Sequence, residues 1–223
     1  MKWIGLIFAL SLAFIVSIPA LNVGFISDDY VLIEAAKNQT LGSLLTTNWL
    51  GESDNGGFYR PVSILSFKYD MAFHGTNPRG YHWTNLWLHV FAVLLVFLLI
   101  QRIRDDDLTP TLAASFFAVH PIHTETIYWI SGRTDLLSAV FYLLTLNIFL
   151  AIDPRKKQGC LTGLLALFTG FLAMVSKEMA YTLPFMIVAV DRLDRPRDAW
   201  WKQYRTQHYL SYFFLLASVL TLR

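Results

Sequence analysis

Residues 81–100 read YHWTNLWLHVFAVLLVFLLI, and beyond Asn85 this segment is nearly pure Leu, Val, Phe and Trp. A helix of roughly 20 apolar residues is long enough to cross the ~30 Å hydrocarbon core of a bilayer. The whole chain has the same character: of its 223 residues, 55% are hydrophobic and only 15% are charged, and the mean hydropathy is +0.44. Soluble domains carry about 25% charged residues. The composition therefore excludes a soluble globule and a disordered chain, and it predicts an integral membrane protein.

Charge and cysteine content exclude several other classes of protein. The formal net charge is +2, from 18 basic and 16 acidic residues, so no nucleic-acid partner is expected. The chain has one cysteine, Cys160, which rules out an internal disulfide framework and a cysteine-based zinc site.

The hydropathy pattern predicts an all-α membrane fold with about seven transmembrane helices and no repeat domain. The predicted spans are Trp3–Phe25, Tyr81–Ile100, Leu108–His120, Thr134–Ile152, Cys160–Val175, Ala180–Val190 and Tyr209–Leu222. The third and sixth are short for a full crossing. A signal peptide is the alternative for the first segment, but its apolar run exceeds the usual 7–15 residues. We favour a retained anchor.

Basic residues predict the orientation of these spans. If the N-terminus is cytoplasmic, the inner segments hold eleven Lys and Arg residues in short connections, and the outer segments hold six. By the positive-inside rule the N-terminus is cytoplasmic. The long loop 26–80, with two juxtamembrane helices (Asp29–Asn38 and Val62–Met71), then lies on the outer side, together with the turns 120–133 and 176–179. Every unusual polar cluster in the chain falls in one of these three segments.

Loop 26–80 contains two clusters that could carry chemistry. Asp28 and Asp29 directly follow the first span, where a carboxylate could serve as a general base or bind a cation. The alternative is structural, with Ser27 or Asp28 capping the helix Asp29–Asn38. Arg60 could clamp a phosphate with its planar fork of donors, or it could be an ordinary surface residue.

The two outer turns supply the remaining candidates. His120, His123 and Glu125 could ligate a metal, although no zinc-binding spacing is present. They could instead bind a phosphate and a sugar hydroxyl, or be polar residues wetted at the membrane surface. Arg133 with Asp135, and Lys177 with Glu178, could be structural charge pairs or could contact an anionic ligand.

Together these groups suit one kind of substrate. Carboxylates, histidines and cations gathered at one membrane surface fit a molecule with a phosphate, a polyprenyl tail and a hydroxyl-rich head. The apolar spans would hold the tail, the cations would hold the phosphate, and an aspartate would deprotonate an incoming hydroxyl.

Six short strings carry a family resemblance. They are FISDD (25–29), YRPV (59–62), GYHWTN (80–85) followed by Leu88-His89, HPIHTE (120–125), GRTDLL (132–137) and SKE (176–178). In this order and spacing, from about Phe25 to Arg192, the chain resembles the membrane portion of the GT-C superfamily. Within it, the chain most resembles the transmembrane and tetratricopeptide-repeat O-mannosyltransferases.

The resemblance implies a membrane glycosyltransferase. A sugar would pass, with inversion, from a polyprenyl phosphate (dolichyl in eukaryotes) to an acceptor hydroxyl on a protein or glycan. Asp28 or Asp29 would be the base. The remaining matched polar residues would bind the phosphate and sugar of the donor: Arg60, His120, His123, Glu125, Arg133, Asp135, Lys177 and Glu178. No cofactor is obviously required, and a role for a divalent metal stays open.

The chain also departs from that family. Its members continue with further spans and tetratricopeptide repeats, whereas no helix-pair repeat of ~34 residues is present here. The chain is therefore expected to be a piece of a longer enzyme or a small relative that needs a partner subunit. A bacterial inner membrane and the endoplasmic reticulum both fit. Two other classes stay open: a transporter or flippase for a lipid-linked anion, and a non-catalytic membrane scaffold.

Overall fold

The computed structural model describes residues 2–45, 58–152, 159–194 and 199–221, and every regular element in these ranges is helical, as predicted. In chain order the α-helices are α1 (Lys2–Ser17), α2 (Asp29–Asn38), α3 (Pro61–His74), α4 (Pro78–Ile103), α5 (Leu108–Val119), α6 (His123–Tyr128), α7 (Arg133–Ala151), α8 (Gly159–Met174), α9 (Leu183–Asp194) and α10 (Ala199–Thr221). Short 3-10 helices cover Ile18–Asn22, Ser43–Leu45, Ile130–Gly132 and Glu178–Thr182.

Three helical segments in the described part of the chain are long and apolar enough to cross a membrane. They are Trp3–Asn22, Pro78–Ile103 and Ile130–Ala151, and they overlap the first, second and fourth predicted spans. The first continues past α1 as a 3-10 turn that contains Pro19, where the ring prevents the regular α-helical hydrogen bond. The protein therefore has the helices of an integral membrane protein, with three of the seven predicted spans supported at full length.

Three of the other predicted spans overlap shorter apolar segments. Leu108–Val119 and Gly159–Met174 are apolar helices shorter than a full crossing, and His208–Thr221 is the apolar C-terminal part of the 23-residue helix α10. The sixth predicted span, Ala180–Val190, overlaps the end of the 3-10 helix Glu178–Thr182 and most of α9, which begins at Leu183. The predicted end of the seventh span, the basic connection 153–157 and the loop tip 54–57 lie outside the described residues.

Helix α4 is the centre of the bundle and contacts α1, α5 and α7. It starts at Pro78, whose missing N–H would have no partner in a first turn anyway. The side-chain oxygen of Asn77 accepts a hydrogen bond from the Arg79 N–H (3.2 Å), which satisfies another amide of that turn. Helix α5 ends one residue before His120-Pro121, because residues that precede proline disfavour the α-helical conformation.

Small residues bring α1 and α5 close to α4. Four alanines are fully or almost fully buried in this contact: Ala9, Ala13, Ala114 and Ala118. A Cβ added at Gly5 of α1 would lie 2.1 Å from Oγ1 of Thr111 on α5. Since apolar side chains gain little by leaving lipid for a helix interface, close backbone approach through small residues supplies the attraction.

The three polar segments predicted to share one side do meet at one end of the bundle. Asp29 hydrogen-bonds Ser131, which joins the loop after α1 to the turn before α7. Arg60 forms an ion pair with Glu178, and the Ser63 hydroxyl donates to the Ser176 carbonyl (3.2 Å). The shared location is confirmed for the described residues, and we call this region the polar end of the bundle. Which side of the membrane it faces stays a prediction.

Gly132 is required where α6 packs against the turn that precedes α7. A Cβ at this position would lie 2.8 Å from Cα of Thr126 and 2.9 Å from the carbonyl oxygen of Glu125, both of them backbone atoms that cannot rotate away. We expect Gly132→Ala to destabilise the fold by about 1–3 kcal/mol and to lower the apparent melting temperature in detergent. Gly24→Ala, with no atom within 4 Å of the added Cβ, is the matched control. Equal melting temperatures for the two variants would contradict this packing.

Candidate active site

A cavity of about 560 Å³ opens among α4, α5, α6, α7 and the turn before α9. Four of the predicted site residues line it: His123, Glu125, Asp135 and Lys177. Asp135 is in the first turn of α7, and the apolar lining continues along that helix to Leu143, two turns further into the bundle. The cavity therefore combines a polar mouth at the polar end of the bundle with an apolar wall that runs toward its middle.

Lys177 and Asp135 form an ion pair at this mouth. The ammonium nitrogen is 2.6 Å from the carboxylate, and the two side chains are 25% and 39% exposed, respectively. Sequence proximity suggested instead that Lys177 would pair with Glu178, and Asp135 with Arg133. In the structure each of these four charges pairs with a residue of another segment, because neighbouring residues at the ends of helices point toward different elements.

His123 is an uncharged member of the cavity lining at neutral pH. Its ring centroid lies 4.3 Å from that of Phe117 and 5.3 Å from that of His89. Burial, and then the nearby His89 and His120, lower the pKa of His123 from 6.5 to about 4. His123 therefore offers the cavity a hydrogen-bonding group rather than a positive charge.

His120 faces a different space from His123. Its Nδ1 accepts a hydrogen bond from the Ile122 N–H (3.2 Å), and its side chain lines a smaller cavity of about 200 Å³ beside Tyr128. Among the described residues, no group of three or more His, Cys, Asp or Glu side chains is arranged to hold a metal ion. The two histidine rings stay neighbours, with centroids 6.1 Å apart, but they line different cavities.

Arg60 is engaged by a carboxylate from another segment. Its Nη2 and Nε lie 2.7 Å and 3.3 Å from the two carboxylate oxygens of Glu178, and its guanidinium stacks 4.3 Å above the ring centroid of Phe58. The residue is only 8% exposed. Arg60 and Glu178 therefore join α3 to the turn after α8, outside the described lining of the large cavity.

Arg133 is fully buried and is held by partners that sequence reasoning missed. Its Nη2 lies 2.6 Å from the Asp70 carboxylate of α3 and donates to the Tyr81 carbonyl (2.8 Å), while Nε donates to the Asn85 side chain (2.7 Å) of α4. Thr84 donates a further hydrogen bond to Asp70 (2.8 Å). Asp70 is the one acidic residue of α3, and nothing in the sequence distinguishes Arg133 from the nearer Lys68 as its partner.

The acidic doublet is split between a buried and an exposed carboxylate. Asp29 is 1% exposed; its Oδ1 accepts from the Ser131 N–H (2.8 Å) and hydroxyl (2.5 Å), and its Oδ2 accepts from the Ile26 N–H (2.9 Å). Asp28 is exposed, accepts a bond from the Ser27 hydroxyl (3.2 Å) and makes no side-chain capping bond to α2. The cap predicted for Ser27 or Asp28 is thus absent at Asp28, where Asp29 anchors the turn instead.

The backbone before the doublet is strained. Ser27 has a φ of +49°, the one positive value at a non-glycine residue in the described part of the chain. Left-handed conformations cost about 1–2 kcal/mol in L-residues, and such residues cluster at functional sites.

Neither Asp28 nor Asp29 is among the described residues that line the large cavity. Ser131, the partner of Asp29, belongs to the 3-10 turn directly before α7, and Asp135 is in the first turn of α7.

Sequence comparison places the chain among known proteins. It is 34% identical over 186 residues to Protein O-mannosyl-transferase Tmtc1 of Drosophila melanogaster, covering 80% of this chain and 21% of that protein. It is 35% identical over 161 residues to Protein O-mannosyl-transferase TMTC4 of Homo sapiens, covering 64% of this chain and 21% of the relative. The chain thus spans about a fifth of the length of the curated relatives it matches. No protein-family model and no solved structure matches it.

The buried pair of Arg133 and Asp70 makes a stability prediction. Asp70→Asn leaves the guanidinium without its counter-charge in a dry interior, so we expect a loss of about 3–5 kcal/mol and a much lower yield of monodisperse protein. We expect Arg133→Lys to lower stability as well. The single ammonium group of a lysine cannot bond the Asn85 oxygen and the Tyr81 carbonyl at the same time, as the planar guanidinium does. Size-exclusion profiles and melting curves in detergent provide the measurement. Asp106→Asn, at an exposed carboxylate, is the control, and equal behaviour of Asp70→Asn and Asp106→Asn would refute the assignment.

The lowered pKa of His123 makes a prediction about pH. A histidine whose folded-state pKa is depressed stabilises the fold above its unfolded pKa, and this stabilisation is lost as the pH falls through the folded value. Between pH 6.5 and about 4, the wild type should therefore lose more thermal stability than His123→Gln, which has no proton to take up. Melting curves of the two proteins across this range check the sign. Parallel curves would show that His123 is not desolvated.

Proposed function

We propose that the chain, which is related in sequence to the TMTC protein O-mannosyl-transferases, is the donor-binding membrane part of a glycosyltransferase. It would move mannose from a polyprenyl phosphate to a hydroxyl group of a protein. The observation that carries this proposal is the large cavity, which has a lysine and two carboxylates at its mouth and an apolar wall below them. The names of the relatives supply the sugar and the protein acceptor.

The cavity suits the parts of a lipid-linked sugar. Apolar side chains such as Leu136 and Leu143 would contact the first isoprene units of the tail. Lys177 would contact the phosphate, and the carboxylate of Glu125 and the neutral ring of His123 would accept or donate hydrogen bonds to sugar hydroxyls. Because the tail continues into the bilayer, a cavity open at one side of the bundle accommodates a lipid longer than the cavity itself.

The two aspartates would have different roles in the transfer step. The acceptor oxygen attacks the anomeric carbon, the bond from that carbon to the phosphate oxygen breaks, and the phosphate leaves with the electron pair. Attack from the side opposite the phosphate inverts the anomeric configuration. The proton of the acceptor passes to a carboxylate, for which we assign the exposed Asp28. Buried Asp29 would position the turn through its three hydrogen bonds.

The setting of this activity is part of the same proposal. The N-terminus would be cytoplasmic and the polar end of the bundle would face the periplasm or the lumen of the endoplasmic reticulum. Arg60, Glu178 and Arg133 would maintain the shape of the site through their ion pairs rather than contact the donor. Acceptor recognition would come from a partner subunit or from the repeat region that the resemblance implies.

The test is transfer of label from polyprenyl-phosphate mannose to a peptide rich in serine and threonine, with the chain reconstituted in lipid vesicles. Labelled peptide, unchanged by a chelator, supports a transferase that needs no divalent metal; loss of label with chelator assigns a metal to the reaction. Movement of the labelled lipid across the vesicle membrane without labelled peptide would favour the transporter instead. Donor binding with neither outcome would favour a scaffold.

The division of roles between the aspartates predicts two distinct phenotypes. Asp28→Asn should lower kcat by about 10²–10⁴-fold without changing the melting temperature, since it removes only the base. Asp29→Asn should lower the melting temperature as well, because an amide cannot accept all three of the hydrogen bonds that the carboxylate accepts. Initial rates and melting curves of both variants are the measurement. Transfer at the wild-type rate by Asp28→Asn would end the assignment of the base.

A further inference from the structure

The mouth of the large cavity has more negative than positive charge. Lys177 is the single basic side chain among the described residues that line it, whereas Glu125 and Asp135 are both acidic. His123 adds no charge near neutral pH because its pKa is lowered to about 4. A phosphate that enters therefore meets one cation and two carboxylates.

The cation is also already committed to a partner. The ammonium of Lys177 is 2.6 Å from the Asp135 carboxylate, so an entering phosphate has to share the lysine with Asp135. The backbone of the lysine is itself hydrogen-bonded: the Lys177 N–H donates to the Ala173 carbonyl (3.2 Å), and the Lys177 carbonyl accepts from the Ala180 N–H (3.2 Å). These bonds oppose a backbone movement of Lys177 away from Asp135, so reorientation of its side chain is the less costly response to a phosphate.

We propose that Asp135 makes the cavity select lipid phosphodiesters, which have one negative charge, over lipid phosphomonoesters, which have two. This inference rests on the proposed function and specifies the substrate class of the same site. A phosphodiester can balance its single charge on Lys177. The second charge of a monoester, which forms above a pKa of about 6, has no unshared cation and lies close to the Asp135 carboxylate.

This preference for phosphodiesters would favour release of the lipid product of the reaction. The donor is a phosphodiester, and the phosphate that leaves with the bonding electron pair is a monoester with one more negative charge. The proton released by the acceptor is on Asp28 and does not cancel that charge. The cavity would thus favour the substrate and repel its lipid product, so product inhibition by polyprenyl phosphate would be weak.

The experiment measures binding of two probes to the purified 223-residue chain in detergent at pH 8. The probes are farnesyl phosphate, a monoester, and its methyl ester, a diester with the same tail. Wild type should bind the diester more tightly. Asp135→Asn should tighten binding of the monoester by about three- to tenfold and that of the diester by clearly less, as expected for a partly exposed ion pair. Asp106→Asn, on the connection between α4 and α5 at the opposite end of the bundle, should leave both affinities unchanged.

A second variant provides an independent test of the preference for phosphodiesters. Glu125→Gln removes the second, exposed carboxylate and should shift the preference in the same direction by a smaller factor, which tests the proposal even if Asp135→Asn melts early. Tighter wild-type binding of the monoester, or equal tightening of both probes in Asp135→Asn, would overturn the inference and leave the proposed function standing. No binding of either probe to the wild type would overturn both.

Discussion

A guanidinium buried among three helices is the constraint on which the rest of the polar end depends. Arg133 is 0% exposed, and a charge removed from water is tolerated only when it is paired and fully hydrogen-bonded. Asp70 of α3 and Asn85 of α4 provide those partners, so this buried network joins α3, α4 and α7. The network anchors the start of α7, where Asp135 lines the large cavity and Ser131, in the preceding 3-10 turn, hydrogen-bonds Asp29.

Ion pairs between segments that are distant in sequence also hold the cavity together. The turn after α8 reaches α3 through Glu178 and α7 through Lys177, and its residues line the cavity together with those of α6. The same ion pairs that hold the cavity together also leave its mouth short of positive charge. Cations that pair two segments are not available to an entering phosphate. The contacts that stabilise the cavity therefore also determine the charge at its mouth.

Much of the fold follows from the sequence, but the pairing of its charges does not. The helix Asp29–Asn38 was predicted at its observed bounds, since it is delimited by a polar start and an amphipathic pattern. The three segments of the polar end were correctly grouped, because alternate connections between spans lie on the same side. The partners of Arg133 and Asp135 were not predictable, as they depend on helix rotation, which hydropathy leaves undetermined.

Three consecutive residues of the turn after α8 contact two neighbouring helices, α3 and α7. Ser176 meets α3 through its carbonyl, Lys177 meets α7, and Glu178 meets Arg60 at the start of α3. A substitution here removes one of these ties, whereas an insertion or deletion of a single residue would shift all of them out of phase at once. The length of this segment therefore constrains the fold in addition to its side chains, since a change of length affects every one of these contacts together.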